Sequence, residues 1–254
     1  MANKHGEAEN YQGSISDLMA GLTFIFIITC MVFMIKLKEA EKNESKIKEE
    51  AGEYAKVRAE LLDTLRKELK SDVQVHVDFE NGILRLQDGK NPFFLQGEHK
   101  LTEHGREVVT KIASRLRLFL NCKESPIQKI CDNNGGLKVE NIFIEGHADQ
   151  APLEGQRKQV YEDNLGLSSQ RAKYAYGIFR EVFNDDGLKS LRNQNNESIL
   201  NISAYGDTRL IRSEPNYIDL PSDQKRLIDK ENRRIDLRFI MHQPLNLRGL
   251  SSEG

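Results

Sequence analysis

The sequence predicts an α/β fold: an α/β sandwich of one mixed sheet with helices on one face, preceded by a single N-terminal transmembrane helix and a helical linker. Three observations carry that expectation. Residues 18–35 contain no charged side chain, and roughly 20 apolar residues suffice to cross a hydrocarbon core as a helix. Residues 36–71 are rich in Glu, Lys, Ala and Leu and lack Pro, the composition of a continuous helix. From residue 72 on, runs that alternate at period two are separated by stretches of helical periodicity, as in a sheet layered with helices. The expected organisation is a short cytoplasmic tail over 1–13, a transmembrane helix over 14–35, a linker over 36–71, the sandwich over 72–242 and a flexible tail over 243–254.

The apolar run is preceded by Ser14, Ile15, Ser16 and Asp17, and the only hydroxyls within residues 18–35 are those of Thr23 and Thr29. Asp17 has two readings. As a cap it suits the positive end of a helix dipole. As an intramembrane carboxylate it is costly and marks an ion path. Ala20 and Gly21 fall on its helical face, and such small residues let a second helix approach closely. The run is too long for a typical signal peptide and has no small-residue cleavage site, so it is expected to stay as an anchor. Lys36, Lys38, Lys42, Lys46 and Lys48 follow it, against Lys4 before it. That bias argues for a cytoplasmic body, but long domains translocate largely regardless of flanking charge.

In the linker, Ile47, Ala51, Tyr54, Leu61 and Leu65 recur at helical steps, interrupted by Arg58. A helix paired or lying on the domain gives such a stripe, and so does a solvated spacer. In the body, Val73, Val75, Val77 and Phe79 alternate, Asn81-Gly82 marks a hairpin turn, and Ile83 to Leu86 returns. Residues 101–120 read as a helix capped by Thr102, with Val108, Ile112, Leu116 and Leu120 facing inward. Ile142 to Glu145, Ile199 to Tyr205 and Arg234 to Met241 read as strands, and Ser168 to Phe183 as a helix.

Net charge is −2, so no basic field points to direct nucleic-acid binding. His5, His76, His99, His104, His147 and His242 form no metal-ligand spacing. No nucleophile–base set or phosphate loop stands out, and the carboxylates Glu145, Asp149 and Asp163 make only a weak hydrolytic pair. The expectation is a binding protein without cofactor, not an enzyme. Cys122 and Cys131 are close enough to bridge in an oxidising compartment, or they are two reduced buried thiols. Cys30, within the apolar run, is expected to stay a free thiol.

Four motifs are more specific: Gly146-His147-Ala148-Asp149; Asn164 with Leu167-Ser168-Ser169-Gln170-Arg171-Ala172; Ala204-Tyr205-Gly206-Asp207; and Asn232-Arg233-Arg234-Ile235-Asp236. In this order they resemble the OmpA-like peptidoglycan-binding domain over residues 72–242. The resemblance implies that Asp149 and Arg171 hold the diaminopimelate group of the stem peptide, with Asn164, Leu167 and Arg233 completing the peptidoglycan-binding set. An Asp for the ammonium and an Arg fork for the carboxylate suit a zwitterion. Singly, His147 reads equally as a satisfied core group, and Arg171, Arg233 and Arg234 as partners of nearby acids. Ala148 stands where the family usually has Thr, and an insertion, Gln150 to Asp163, is similar to those of MotB-type stator proteins.

Ser16-Asp17-Leu18-Met19 also resembles the ion-carrying motif of MotB-like stator subunits, which join one span, a linker and an OmpA-like domain. Within that class the chain is similar to the ZorB-like subunits of Zorya anti-phage defence. The resemblance implies a homodimer inside a MotA- or ZorA-like membrane ring in the inner membrane, with the N-terminus cytoplasmic and the body periplasmic. Asp17 would carry protons or sodium ions, and the body would grip the wall. A flagellar stator, told apart by a motility phenotype, and a passive tether, in which Asp17→Asn is silent, are the rival readings.

Overall fold

The computed structural model describes residues 5–69, 74–87, 91–127, 129–131 and 136–242. Its first element is one helix, α1 (His5–Leu69). The segment expected as a tail is thus helical from His5 onward, because no Pro interrupts it and the apolar run propagates a helix that has already nucleated. Residues 1–4, 70–73 and 243–254, with the expected C-terminal tail, Val73 and the first residues of the expected sandwich, lie outside the described residues. Among the described residues, one helix is long and apolar enough to cross a membrane. Its Leu18, Leu22, Phe26 and Phe33 are all exposed.

Gly52–Gln243 form one compact unit, and the earlier part of α1 belongs to another. Within the C-terminal unit the last turns of α1 are core. Val57, Leu61, Leu62, Leu65 and Leu69 are buried in the same cluster as Leu84, Ile112 and Phe239, each burial being worth about 1.5–3 kcal/mol. The later part of the linker stripe, Tyr54, Leu61 and Leu65, therefore belongs to a helix lying on the domain. Arg58, the interruption in that stripe, donates through Nη2 to the carbonyls of Phe79 (3.2 Å) and Glu80 (3.0 Å) and so fastens the helix to a hairpin. Glu53 pairs with the buried Lys138 at 2.9 Å.

That hairpin is β1 (Gln74–Asp78) and β2 (Ile83–Gln87), joined at the expected turn. Asp78 accepts from the Asn81 amide nitrogens of backbone and side chain, and Gly82 takes φ +68°, a conformation that favours glycine. The sheet continues through β3 (Val139–Gly146), β4 (Leu200–Ala204) and β5 (Ile235–Met241) in the order β1-β2-β5-β3-β4. β3 and β4 are parallel, and the other pairs antiparallel. Ile235, Leu237, Phe239 and Met241 alternate into the core, leaving Asp236 and Arg238 on the opposite face.

α2 (Glu103–Phe119) is capped by Thr102, whose Oγ1 accepts from Gly105 N, and it buries Val108, Ile112 and Leu116. Leu120, just past its end, is buried as well. α4 (Asn164–Ser190) is longer than its expected core and breaks at Asn184. Two helices were not foreseen. α3 (Gly155–Tyr161) lies within the polar insertion, and α5 (Ser222–Asn232) leads into β5. Neither carries an apolar stripe: each buries one large apolar side chain, Tyr161 and Ile228. Cys122 and Cys131 form a disulfide, and Cys30 is free and exposed.

Candidate functional site

The parallel pair ends with Gly146 opposite Ala204, and β5 begins with Ile235 opposite Gly146. The segments that follow β3 and β4 and precede β5 therefore meet at one end of the sheet. They carry His147–Asp149, Tyr205–Asp207 and Arg233–Arg234, and the first turns of α4 pack beside them. Backbone bonds lock this corner: Ala148 N donates to Gly206 O (2.8 Å), Tyr205 N to Gly146 O (3.1 Å) and His147 N to Arg234 O (3.2 Å). Ser168 Oγ accepts from Gly206 N at 2.8 Å, joining α4 to the turn after β4. Gly206 needs φ +54° for that turn.

All five candidate wall-binding residues gather here, and all are buried. Asp149 Oδ2 accepts from Arg233 Nη1 at 2.9 Å, and its Oδ1 accepts from Ala151 N at 3.1 Å. Asn164 Nδ2 lies between three acceptors, Asp149 O (3.1 Å), Ala151 O (3.3 Å) and Asp207 Oδ2 (3.3 Å). Leu167 packs with Ala148, Tyr161 and Leu153 in a small apolar cluster. Arg171 is 0 % exposed. Its Nε donates to Glu98 O and its Nη1 to His147 O, both at 2.9 Å, while its guanidinium lies 4.8 Å from the Phe94 ring centre. Arg233 thus places its guanidinium in direct contact with the Asp149 carboxylate.

Several participants escaped the sequence reading. Tyr217 donates to Asp229 Oδ1 at 2.6 Å. Burial raises the Asp229 carboxyl above its usual range against the effect of that bond, with the Asp149 charge adding to the rise and Arg233 opposing it. Asp229 sits one helical turn before Arg233, the one signal that pointed to it. Tyr161 and His99 share a 2.6 Å hydrogen bond at the edge of the site, and burial lowers the affinity of His99 for a proton.

On the sheet face away from the core, Glu145 accepts from both Arg238 Nε (2.7 Å) and Nη2 (3.1 Å). Asp236 accepts from Arg234 Nε at 3.1 Å, and His147 Nε2 stands 3.3 Å from it. Burial lowers the affinity of the His147 ring for a proton, outweighing its Asp236 partner. Burial opposes the charge on Asp236, yet His147, Arg234 and Arg85 together hold its carboxyl below the usual range. Glu145, His147 and Asp236 lie close enough to ligate a cation. The donor set does not fit one, because guanidinium groups already neutralise both carboxylates.

Asp17 lies exposed on α1, in the unit separate from this corner. Gly21, one turn on, has open space around it.

No family model matches the chain, and no curated protein matches its sequence. Among solved structures it is similar to a putative MotB-like protein from Desulfovibrio vulgaris, with TM-score 0.47 and 14% identity over 75% of this chain and 96% of that one. It is also similar to the cell wall anchor of the T6SS from Pseudomonas aeruginosa, with TM-score 0.44 and 15% identity over 71% and 97%. A third is the periplasmic domain of Helicobacter pylori MotB, with TM-score 0.42 and 18% identity over 67% and 88%.

Proposed function

We propose that this chain is a stator-type subunit of an ion-driven motor in a bacterial inner membrane, anchored to peptidoglycan by its C-terminal unit. The observation that carries the anchoring role is the convergence of four separated motifs on one corner built around the buried Asp149–Arg233 pair. Such a pair is complementary to a zwitterion. The ammonium of a stem-peptide diaminopimelate group replaces Arg233 at Asp149, and its carboxylate takes the freed guanidinium. Arg171 fixes the frame by tying His147 to Glu98, and Asn164 orients the Asp149 backbone. The corner carries out recognition rather than chemistry, and no cofactor enters the proposal.

At the other end, Asp17 binds and releases protons or sodium ions between two copies of α1 inside a MotA- or ZorA-like ring. One charge crossing 100 mV supplies about 2.3 kcal/mol, and neutralising Asp17 relieves its cost of burial in that assembly. A Zorya-type anti-phage system is the setting proposed for this motor, with a flagellar motor as the rival. Sedimentation of the detergent-purified chain with insoluble peptidoglycan tests the anchor. Asp149→Ala, Arg171→Ala and Arg233→Ala are each expected to abolish co-sedimentation with a matched circular-dichroism spectrum. Equal sedimentation of the wild type and all three variants refutes the pocket. Phage plating beside a swimming assay separates the two motor roles.

A further inference from the structure

On the far face of the sheet, distinct from the proposed wall site, a cavity of about 470 Å³ opens between the β1–β2 hairpin, β3, β5 and the turn after β4. Its size suits a small ligand. Arg85, Arg209, Arg234 and Arg238 line it. The carboxylates Glu145 and Asp236 are buried behind these groups, with side chains 1% and 3% exposed. Asp78, at the rim, is held by the two Asn81 nitrogens, and burial lowers the affinity of His147, also in the wall, for a proton.

The guanidinium groups are unequally used. Arg234 is committed to Asp236 and to the carbonyls of Asn232 and Arg209. Arg238 spends Nε and Nη2 on Glu145 and keeps Nη1. Arg85 approaches Asp236 through Nε, 3.4 Å from each carboxylate oxygen, and its two terminal nitrogens have no hydrogen bond among the described residues. Arg209 is exposed, and its guanidinium lies 3.7 Å from the Tyr205 ring centre. Among the described residues it has no carboxylate partner. A stacked guanidinium without a counter-ion is oriented in advance for an oxyanion, and a cleft lined by such groups concentrates anions.

We propose that this cavity binds a phosphate group, held by Arg85 and Arg209 with Arg238 Nη1 as a third donor, either as a phosphate ester or as free phosphate. Guanidinium forks match the tetrahedral oxygens of phosphate and can share them. A bare cation is disfavoured by the same four arginines.

The test is isothermal titration of the full chain in detergent with inorganic phosphate and, separately, with glycerol 3-phosphate, each against a sodium chloride control of equal ionic strength. The wild type is expected to bind at least one of them, and each guanidinium removed, in Arg85→Gln or Arg209→Gln, is expected to weaken binding roughly tenfold. Tighter glycerol 3-phosphate assigns an ester ligand, and tighter inorganic phosphate the free anion; both support the site. Arg209 is exposed, so Arg209→Gln keeps the fold and remains decisive if Arg85→Gln does not. No heat beyond the chloride control, or unchanged affinity in Arg209→Gln, overturns the proposal.

Discussion

Gly146 is a point of close approach between the sheet and α4, and adding one methyl group there tests the whole corner. A Cβ at that position would stand 2.0 Å from Ser168 O, 2.9 Å from Ser168 C and 3.2 Å from Ala172 N. Ordinary carbon–oxygen contacts begin near 3.3 Å, so α4 must retreat from β3 by roughly 1 Å. Two bonds span that gap, Gly206 N to Ser168 Oγ at 2.8 Å and Arg171 Nη1 to His147 O at 2.9 Å. Overpacking costs about 1–3 kcal/mol, and weakening both bonds, one of them charged, adds about 2 kcal/mol. Gly146→Ala is therefore expected to lose about 3–5 kcal/mol. In a domain of this size that lowers the melting temperature by roughly 10 °C. Gly177→Ala, on the same helix, is the control. Nothing lies within 4 Å of a Cβ there, so removing a helical glycine should stabilise by about 0.5–1 kcal/mol. Thermal unfolding of the detergent-purified chain, followed by near-ultraviolet circular dichroism, reads both signs. A loss under about 1 kcal/mol for Gly146→Ala refutes the close-approach reasoning.

Three further outcomes are expected. Asp17→Asn should leave the chain inserted and assembled but silent in phage plating or swimming, and retained activity would remove the ion-carrier role. Cys122→Ser should cost about 2–3 kcal/mol through lost loop closure; peptide mapping without reductant should find the Cys122–Cys131 link and an unlinked Cys30. Asp229→Asn should raise the melting temperature at pH 7, because the wild-type carboxyl, its pKa raised above 3.8 by burial, is ionised there at a cost. A raised pKa contributes stability at low pH and loses it as pH rises, so the advantage of the variant should fade toward pH 4. A constant difference across that range would show that Asp229 gains no proton preference on folding.

The strands and α2 were legible because their side chains alternate or recur with the period of the element, and the burial of Val108, Ile112 and Leu116 follows that recurrence. The hairpin at Asn81-Gly82 was legible because only a few residue pairs accept its turn. What periodicity does not encode was missed: α3 and α5 each bury one large apolar side chain and so leave no stripe. The family resemblance made Arg171 a fork for the ligand carboxylate, and nothing in its helical spacing announces that it is buried. Its burial depends on Phe94 and Glu98, both from a loop that precedes α2. The pairing of Asp149 with Arg233 spans 84 residues and is fixed only when β3 and β5 lie side by side.

Ala148 and the insertion belong to one arrangement. The backbone of Ala148 is fixed by Gly206, while its methyl group lies against Leu167 and Tyr161, with Leu153 beside them. Tyr161 is the last residue of α3, and Gly166 passes so close beneath it that a Cβ would stand 2.0 Å from Tyr161 O. Asn164 then ties the entry of the insertion, at Asp149 and Ala151, to its exit. A hydroxyl at 148 would enter this apolar contact at a cost of about 1–3 kcal/mol unless it found a partner. The chain that carries α3 over this corner therefore carries alanine there. The insertion holds the segment around Asp149 in place by packing and by Asn164.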